Sequence, residues 1–123
     1  GLSGDYGGSW FLTQLTNPSI AKDIYFSSRR VSANEARELG IVNRVVPDSS
    51  FREDVATYAQ SIADSAPIAV QYMKEHINQV KSNDLGAHLD IEAEHLMRCA
   101  DTSDHKEAVK AFLEKREPTF TGK

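Results

Sequence analysis

Only one stretch of this sequence has the composition of a β-strand, and this limits the folds that the chain can adopt. The stretch covers residues 41–46, a mostly β-branched run that Pro47 closes. A lone strand cannot pair with itself, so the stretch forms either one short strand against another sheet or an extended connector. The sequence therefore predicts a mainly α-helical fold with at most one short strand.

Residues that favour helix starts and stops predict six helices. Asn17 before Pro18 is typical of a helix start, because Asn accepts hydrogen bonds from free backbone N–H groups and Pro fits the first helical position. Ser32 with Glu35 forms a capping-box pattern, and Ser50 with Glu53 repeats it. The predicted helices begin near residues 18, 32, 50, 67, 84 and 102. No repeat or linker interrupts them, so residues 1–123 are interpreted as a single segment.

Composition excludes several functional classes. The 14 basic residues are outnumbered by 18 acidic ones, and no basic cluster is large enough to bind a nucleic-acid backbone. No apolar run approaches the roughly 20 residues that cross a bilayer, so no membrane association is expected. Cys99 is the single cysteine, which suits a reducing compartment and favours a cytoplasmic location.

The first ten residues carry four glycines in eight positions, followed by an apolar stretch. Such glycines permit positive φ angles and close approach of a ligand, although an ordinary tight loop leading into a helix has the same pattern. Asp5 is the ionisable residue among them. If Tyr6 and Trp10 shield its carboxylate from water, Asp5 is a candidate base or nucleophile; otherwise it is a turn or cap residue.

Four side chains at helical spacing suggest a metal site, but the pattern is incomplete. His95 and Cys99 stand four residues apart, with His88 and Glu92 preceding them at the same spacing. No second ligand cluster exists to complete a tetrahedral site, so no metal is predicted. His76 is interpreted as a hydrogen-bonded residue on the apolar face of its helix.

Taken together, four stretches resemble the carboxyl-terminal half of the crotonase superfamily, the enoyl-CoA hydratases and isomerases. They are residues 1–10, residues 29–47, the run Met73-Lys74-Glu75, and residues 111–120. The most specific is the second, in which a Ser-Ala-x-Glu-Ala helix is followed by Leu-Gly-Ile-Val-x-x-Val-Val-Pro. The resemblance extends over the whole chain.

This resemblance implies a part of an enzyme, the helical trimerisation region of a crotonase-like fold. The family's β/α spiral domain, with its oxyanion-hole N–H groups and catalytic glutamates, would lie before Gly1 and is absent here. The chain is therefore expected to be inactive alone and to act on acyl-CoA only if the missing half is supplied. The implied reaction uses a CoA thioester as substrate and no metal or redox cofactor. Unpartnered apolar helix faces further predict a homo-oligomer.

Three residues inherit candidate roles from the resemblance. Asp5 stands where dienoyl-CoA isomerases and aromatic acyl-CoA dehalogenases have a catalytic aspartate. An isomerase base, a nucleophile and a hydratase in which Asp5 is incidental all remain open. Lys115 matches a lysine near the CoA phosphates, and Phe112 matches an aromatic residue near the acyl pocket. A different interpretation of the whole chain is a non-catalytic helical association module.

Overall fold

Seven α-helices and no β-strand make up the computed structural model, which describes all 123 residues. Helices account for 63% of the chain, which confirms the mainly α prediction. None of them is long and apolar enough to cross a membrane. In chain order the helices are α1 (Gly8–Leu15), α2 (Pro18–Ser27), α3 (Ala33–Glu38), α4 (Phe51–Ala63), α5 (Pro67–Gln79), α6 (Leu85–Ala100) and α7 (Ser103–Glu114).

The sequence patterns predict six of the seven helices and miss α1, the first in the chain. Its N-cap is Gly7, which has a φ of 75° and offers no side-chain oxygen to the first turn. A helix that starts from a left-handed glycine carries none of the Ser, Thr, Asn or Asp signals by which helix starts are recognised. One interpretation of the glycine-rich start was a tight loop leading into a helix, and the structure has this arrangement.

Side-chain caps begin four of the predicted helices, at Asn17, Ser32, Asp84 and Thr102. The side-chain oxygen of Asn17 accepts hydrogen bonds from the backbone N–H groups of Ser19 and Ile20, at 2.9 and 3.1 Å. Asp84 and Thr102 cap α6 and α7 in the same way, each accepting from the N–H three residues further on, at 2.9 and 3.0 Å. These bonds satisfy donors that an uncapped helix would leave unpaired.

The two capping boxes differ from the prediction. Ser32 Oγ accepts from the N–H of Glu35 at 3.2 Å, but the carboxylate of Glu35 accepts from Arg29 Nη1 at 2.6 Å instead of completing the box. Ser50 Oγ donates to the carbonyl of Pro47 at 3.4 Å. A guanidinium and a turn carbonyl thus compete successfully for side chains that the sequence pattern assigns to the helix starts.

Residues 41–46 form the connector that the sequence allowed as an alternative to a strand. The N–H groups of Ile41 and Val42 both donate to the carbonyl of Ala36, at 2.8 and 3.3 Å. These bonds end α3 and lead into a segment without regular structure.

The chain divides into two compact units, residues 1–51 and 52–123. In the first unit α1 packs on α2, and in the second α6 packs on both α5 and α7. That residues 1–123 form one segment of a larger fold stays a prediction.

Neither unit encloses a core of large side chains. The buried hydrophobic residues are Ala21 and Ala111, both small. Phe26 in the first unit is 82% exposed, and Phe112 and Leu113 in the second are 83% and 74% exposed. Both units therefore present large apolar side chains on their surface.

A buried carboxylate anchors the end of the chain to α7. Asp104 is only 2% exposed, and its two carboxylate oxygens accept from the backbone N–H groups of Thr121 and Gly122 at 2.7 and 2.8 Å. The N–H of Asp104 in turn donates to the carbonyl of Lys123 at 3.1 Å. Paired hydrogen bonds of this kind offset the cost of removing a charged group from water.

Candidate functional site

Asp5 opens a tight β-turn at the start of the first unit. The N–H of Gly8 donates to the carbonyl of Asp5 at 2.8 Å and closes the turn. The two central residues, Tyr6 and Gly7, have φ angles of 49° and 75°, as in a type I′ turn. A left-handed conformation costs a residue with a side chain roughly 1–2 kcal/mol, so surrounding contacts must hold Tyr6 in this geometry.

The carboxylate of Asp5 is exposed and makes no hydrogen bond or ion pair within the chain. Gly7 occupies the N-cap position of α1, so Asp5 does not act as the helix cap that was one of its expected roles. Tyr6 is 96% exposed, and Trp10 is exposed as well. These two rings do not shield the Asp5 carboxylate from water, and the chain alone leaves this group solvated.

The glycines beside Asp5 have a structural reason that the sequence did not reveal. A Cβ added at Gly4 would lie 3.1 Å from Tyr25 Cε1, and one added at Gly8 would lie 2.5 Å from Tyr25 Oη. Both distances are shorter than ordinary contacts, so these two glycines admit the Tyr25 ring against the loop. In the sequence, Tyr25 shows only helical spacing with Ile20 and Ile24, and this spacing does not indicate a contact with the loop.

A groove of ≈ 420 Å³ lies beside this loop in the first unit. Its walls are largely apolar, and Leu2, Pro18 and Phe26 contribute to them. Lys22 is the one charged residue among the lining residues, and Asp5 does not line the groove. The groove therefore offers apolar contact next to the Asp5 loop without including the carboxylate.

Lys115 and Phe112 lie together at the carboxyl end of α7, in the second unit, whereas Asp5 belongs to the first. Lys115 is the C-cap, with a φ of 54°, and its N–H donates to the carbonyl of Phe112 at 3.3 Å. Both side chains are exposed, and the ammonium of Lys115 makes no ion pair. This helix end therefore presents an ammonium without an ion-pair partner and an exposed aromatic ring.

The neighbouring Arg116 is occupied by acidic partners. Its guanidinium donates to both carboxylate oxygens of Glu107, with Nη2 2.9 Å from Oε2, and its Nε donates to Glu114 at 2.7 Å. The N–H of Thr119 also donates to Glu107, at 3.1 Å. The Arg116 hydrogen bonds, followed by the Thr119 N–H, lower the pKa of Glu107 to about 2. The pKa of Arg116 is raised in turn, chiefly by Glu107.

A cluster of aromatic and imidazole rings joins α5 to α6. His76 Nε2 and His95 Nδ1 share a hydrogen bond of 2.8 Å, which confirms the interpretation of His76 as hydrogen-bonded. Tyr72 stacks on His95 with ring centroids 3.9 Å apart, and His88 meets His76 edge to face. No group of three His, Cys, Asp or Glu side chains is placed to hold a metal ion. The rings thus stabilise the pairing of two helices.

Comparison with known proteins identifies relatives along the whole chain. The sequence model of the enoyl-CoA hydratase/isomerase family matches residues 1–123. A short-chain-enoyl-CoA hydratase of Clostridioides difficile is 37% identical over 112 residues, 91% of this chain and 72% of that protein. The 1,2-epoxyphenylacetyl-CoA isomerase of Escherichia coli is 32% identical over all 123 residues, which correspond to 47% of that protein.

Solved structures agree with the sequence comparison. The crystal structure of an enoyl-CoA hydratase from Polaromonas sp. JS666 superimposes with a TM-score of 0.91 at 34% identity, covering 98% of this chain and 47% of that one. The predicted crotonase-like fold is thereby confirmed, and this chain spans about half the length of most of the relatives that it matches.

The low pKa of Glu107 predicts how stability changes with pH. Because the folded-state pKa of about 2 lies below the ordinary 4.5, the stabilisation is complete above pH 4.5 and is lost as the pH falls towards 2. Glu107→Gln is therefore expected to lower the free energy of unfolding near neutral pH, and the deficit should shrink in acid. Urea unfolding across that pH range, followed by circular dichroism, measures this.

Glu117→Gln is the matched control, because its side chain is exposed and carries no ion pair. It should follow the unsubstituted chain at every pH. A deficit for Glu107→Gln that stays constant from neutral pH down to pH 2 would contradict the assignment.

Proposed function

Because the chain belongs to the enoyl-CoA hydratase/isomerase family, we propose that it is the carboxyl-terminal part of an acyl-CoA hydratase or isomerase acting on CoA thioesters. The observation that carries the proposal is the family match over all 123 residues, from the glycine loop to the end of the chain. The chain's exposed apolar side chains support it, because they suit helices that cover another part of a protein.

The chain by itself is proposed to be inactive. Chemistry on a thioester requires donors that stabilise negative charge on the carbonyl oxygen, and the family resemblance places those backbone N–H groups before Gly1. Loss of even one such donor lowers turnover by on the order of a hundredfold or more. The residues described here would bind, orient and transfer protons only after the rest of the fold is present.

Asp5 is proposed to act as a general acid or base on the acyl chain. It lies on a turn fixed by its own hydrogen bond and by Tyr6 and Gly7. Its carboxylate has no competing partner in the chain, so it is free to accept or donate a proton. The relatives include hydratases and a 1,2-epoxyphenylacetyl-CoA isomerase, so the proposal covers both hydration and isomerisation.

Lys115 is proposed to contact the CoA phosphates, with Phe112 beside the acyl group. Arg116 is held by Glu107 and Glu114, so Lys115 is the cation at this helix end that can meet a phosphate. No metal or redox cofactor enters the proposed reaction. A cytoplasmic location also stays a prediction.

A homo-oligomer is proposed because exposed apolar residues favour association. The same exposed surface favours the second candidate function, a helical association module without catalysis. Turnover of an acyl-CoA by a completed enzyme separates the two, since the association module catalyses no reaction.

The role of Asp5 is testable in a fusion in which this chain replaces the corresponding half of the E. coli isomerase. Asp5→Asn keeps the shape of the side chain and removes its charge, so turnover of 1,2-epoxyphenylacetyl-CoA should fall at least about a hundredfold. Asp48→Asn, an exposed carboxylate on a loop, serves as control and should retain activity. Full activity of the Asp5→Asn fusion would reject the proposed chemistry.

Lys115 is the C-cap of α7, and its ammonium is proposed to contact the CoA phosphates. One substitution can separate the two roles. Lys115→Gly suits the left-handed C-cap and should raise stability by about 0.5–1 kcal/mol. Loss of the ammonium should at the same time raise the KM of the fusion for acyl-CoA by about fivefold. Greater stability with an unchanged KM would show that Lys115 is only a cap.

Association of the chain alone is measured by size-exclusion chromatography with light scattering at micromolar concentration. A mass at a multiple of 13.6 kDa is expected. A clean monomer that shows no concentration dependence would argue against both the oligomer and the association module.

A further inference from the structure

We propose that Tyr25 is a positioning residue for Asp5. It would act through Gly4 and Gly8, which precede and follow Asp5 in the loop. The inference rests on the proposed role of Asp5 and adds a residue that neither the sequence patterns nor the family resemblance singled out. Tyr25 would act by shape, because its hydroxyl makes no hydrogen bond within the chain.

The contact between ring and loop is close on both sides of Asp5. Tyr25 Cε1 lies 3.1 Å from the position of a Cβ on Gly4, and Tyr25 Oη lies 2.5 Å from the position of a Cβ on Gly8. Any larger residue at these two positions would displace either the ring or the loop. Asp5 therefore sits on a backbone segment whose two ends both lie against one aromatic ring.

The ring itself is held by a well-anchored helix. Tyr25 lies one turn after Ala21, the buried residue of the first unit, and therefore on the same face of α2. The helix begins at the Asn17 cap and ends with the N–H of Ser28 donating to the carbonyl of Ile24 at 3.1 Å. Tyr25 is 38% exposed, which leaves most of its surface in contact with the chain.

This contact accounts for the strained turn. Tyr6 adopts a φ of 49°, which is unfavourable unless neighbouring contacts impose it. The ring fixes Gly8, whose N–H closes the turn on the carbonyl of Asp5. A carboxylate that transfers a proton must be held close to its target atom, and errors near 1 Å reduce turnover by about a hundredfold.

A double-mutant cycle on the intact chain tests the contact directly. Gly8→Ala adds a methyl group that collides with Tyr25 Oη, whereas Tyr25→Phe removes that oxygen and leaves Cζ at an ordinary 3.8 Å. Gly8 does not have a positive φ and is the first residue of α1, so alanine is otherwise acceptable there. Gly1→Ala, with nothing within 4 Å, is the control.

The hydrogen-exchange rate of the residue 8 N–H measures how often the turn opens. Nuclear Overhauser effects between Tyr25 and Gly4 measure whether the ring stays against the loop. Gly8→Ala should accelerate exchange by about tenfold and weaken those contacts, and adding Tyr25→Phe should restore both. Gly1→Ala should change neither. Unchanged exchange in Gly8→Ala, or no recovery in the double variant, would overturn the inference.

The fusion enzyme tests whether the contact matters for Asp5. Gly8→Ala should lower kcat by about tenfold with little change in KM, and Gly8→Ala with Tyr25→Phe should recover most of it. An unchanged kcat in Gly8→Ala would reject the positioning role. Activity that survives Asp5→Asn would instead reject the proposed function, while the exchange data would still decide whether Tyr25 sets the turn.

Discussion

The lack of large buried side chains is the constraint on which the rest of this structure depends. Burial of apolar surface is the main favourable contribution to folding, yet only alanines are buried hydrophobic residues here. Helix α1 packs on α2 and α5 on α6 without burying a large apolar side chain. Most of the large apolar side chains of the helices therefore stay exposed, and their burial contributes little to holding the helices together.

Polar contacts define the local geometry where hydrophobic burial does not. Three sets of hydrogen bonds fix the end of a helix or a connection. They are the cap at Asn17, the bonds of Arg29 to Asp23 and Glu35, and the bonds that Asp104 accepts from the end of the chain. Such bonds are directional and individually modest in energy. They determine where a helix begins and how the chain leaves it.

Helix starts were predictable from sequence wherever a side chain forms the cap, as at Asn17, Asp84 and Thr102. Prediction failed where the backbone alone carries the signal: Gly7 starts α1 with a left-handed φ, and no polar residue marks the position. The glycine loop shows the same limit. Its tight turn was foreseeable from composition, but the Tyr25 ring that explains Gly4 and Gly8 comes from a different helix. Contacts between elements leave no local pattern in the sequence.

The anchored end of the chain determines what an attached group can reach. The tail runs back along α7, so that Lys123 lies at Asp104 near the start of the helix while Lys115 stands at its other end. Eleven residues of helix separate these points by roughly 16 Å. Spectroscopic labels at Lys123 and Lys115 would therefore report on opposite ends of α7.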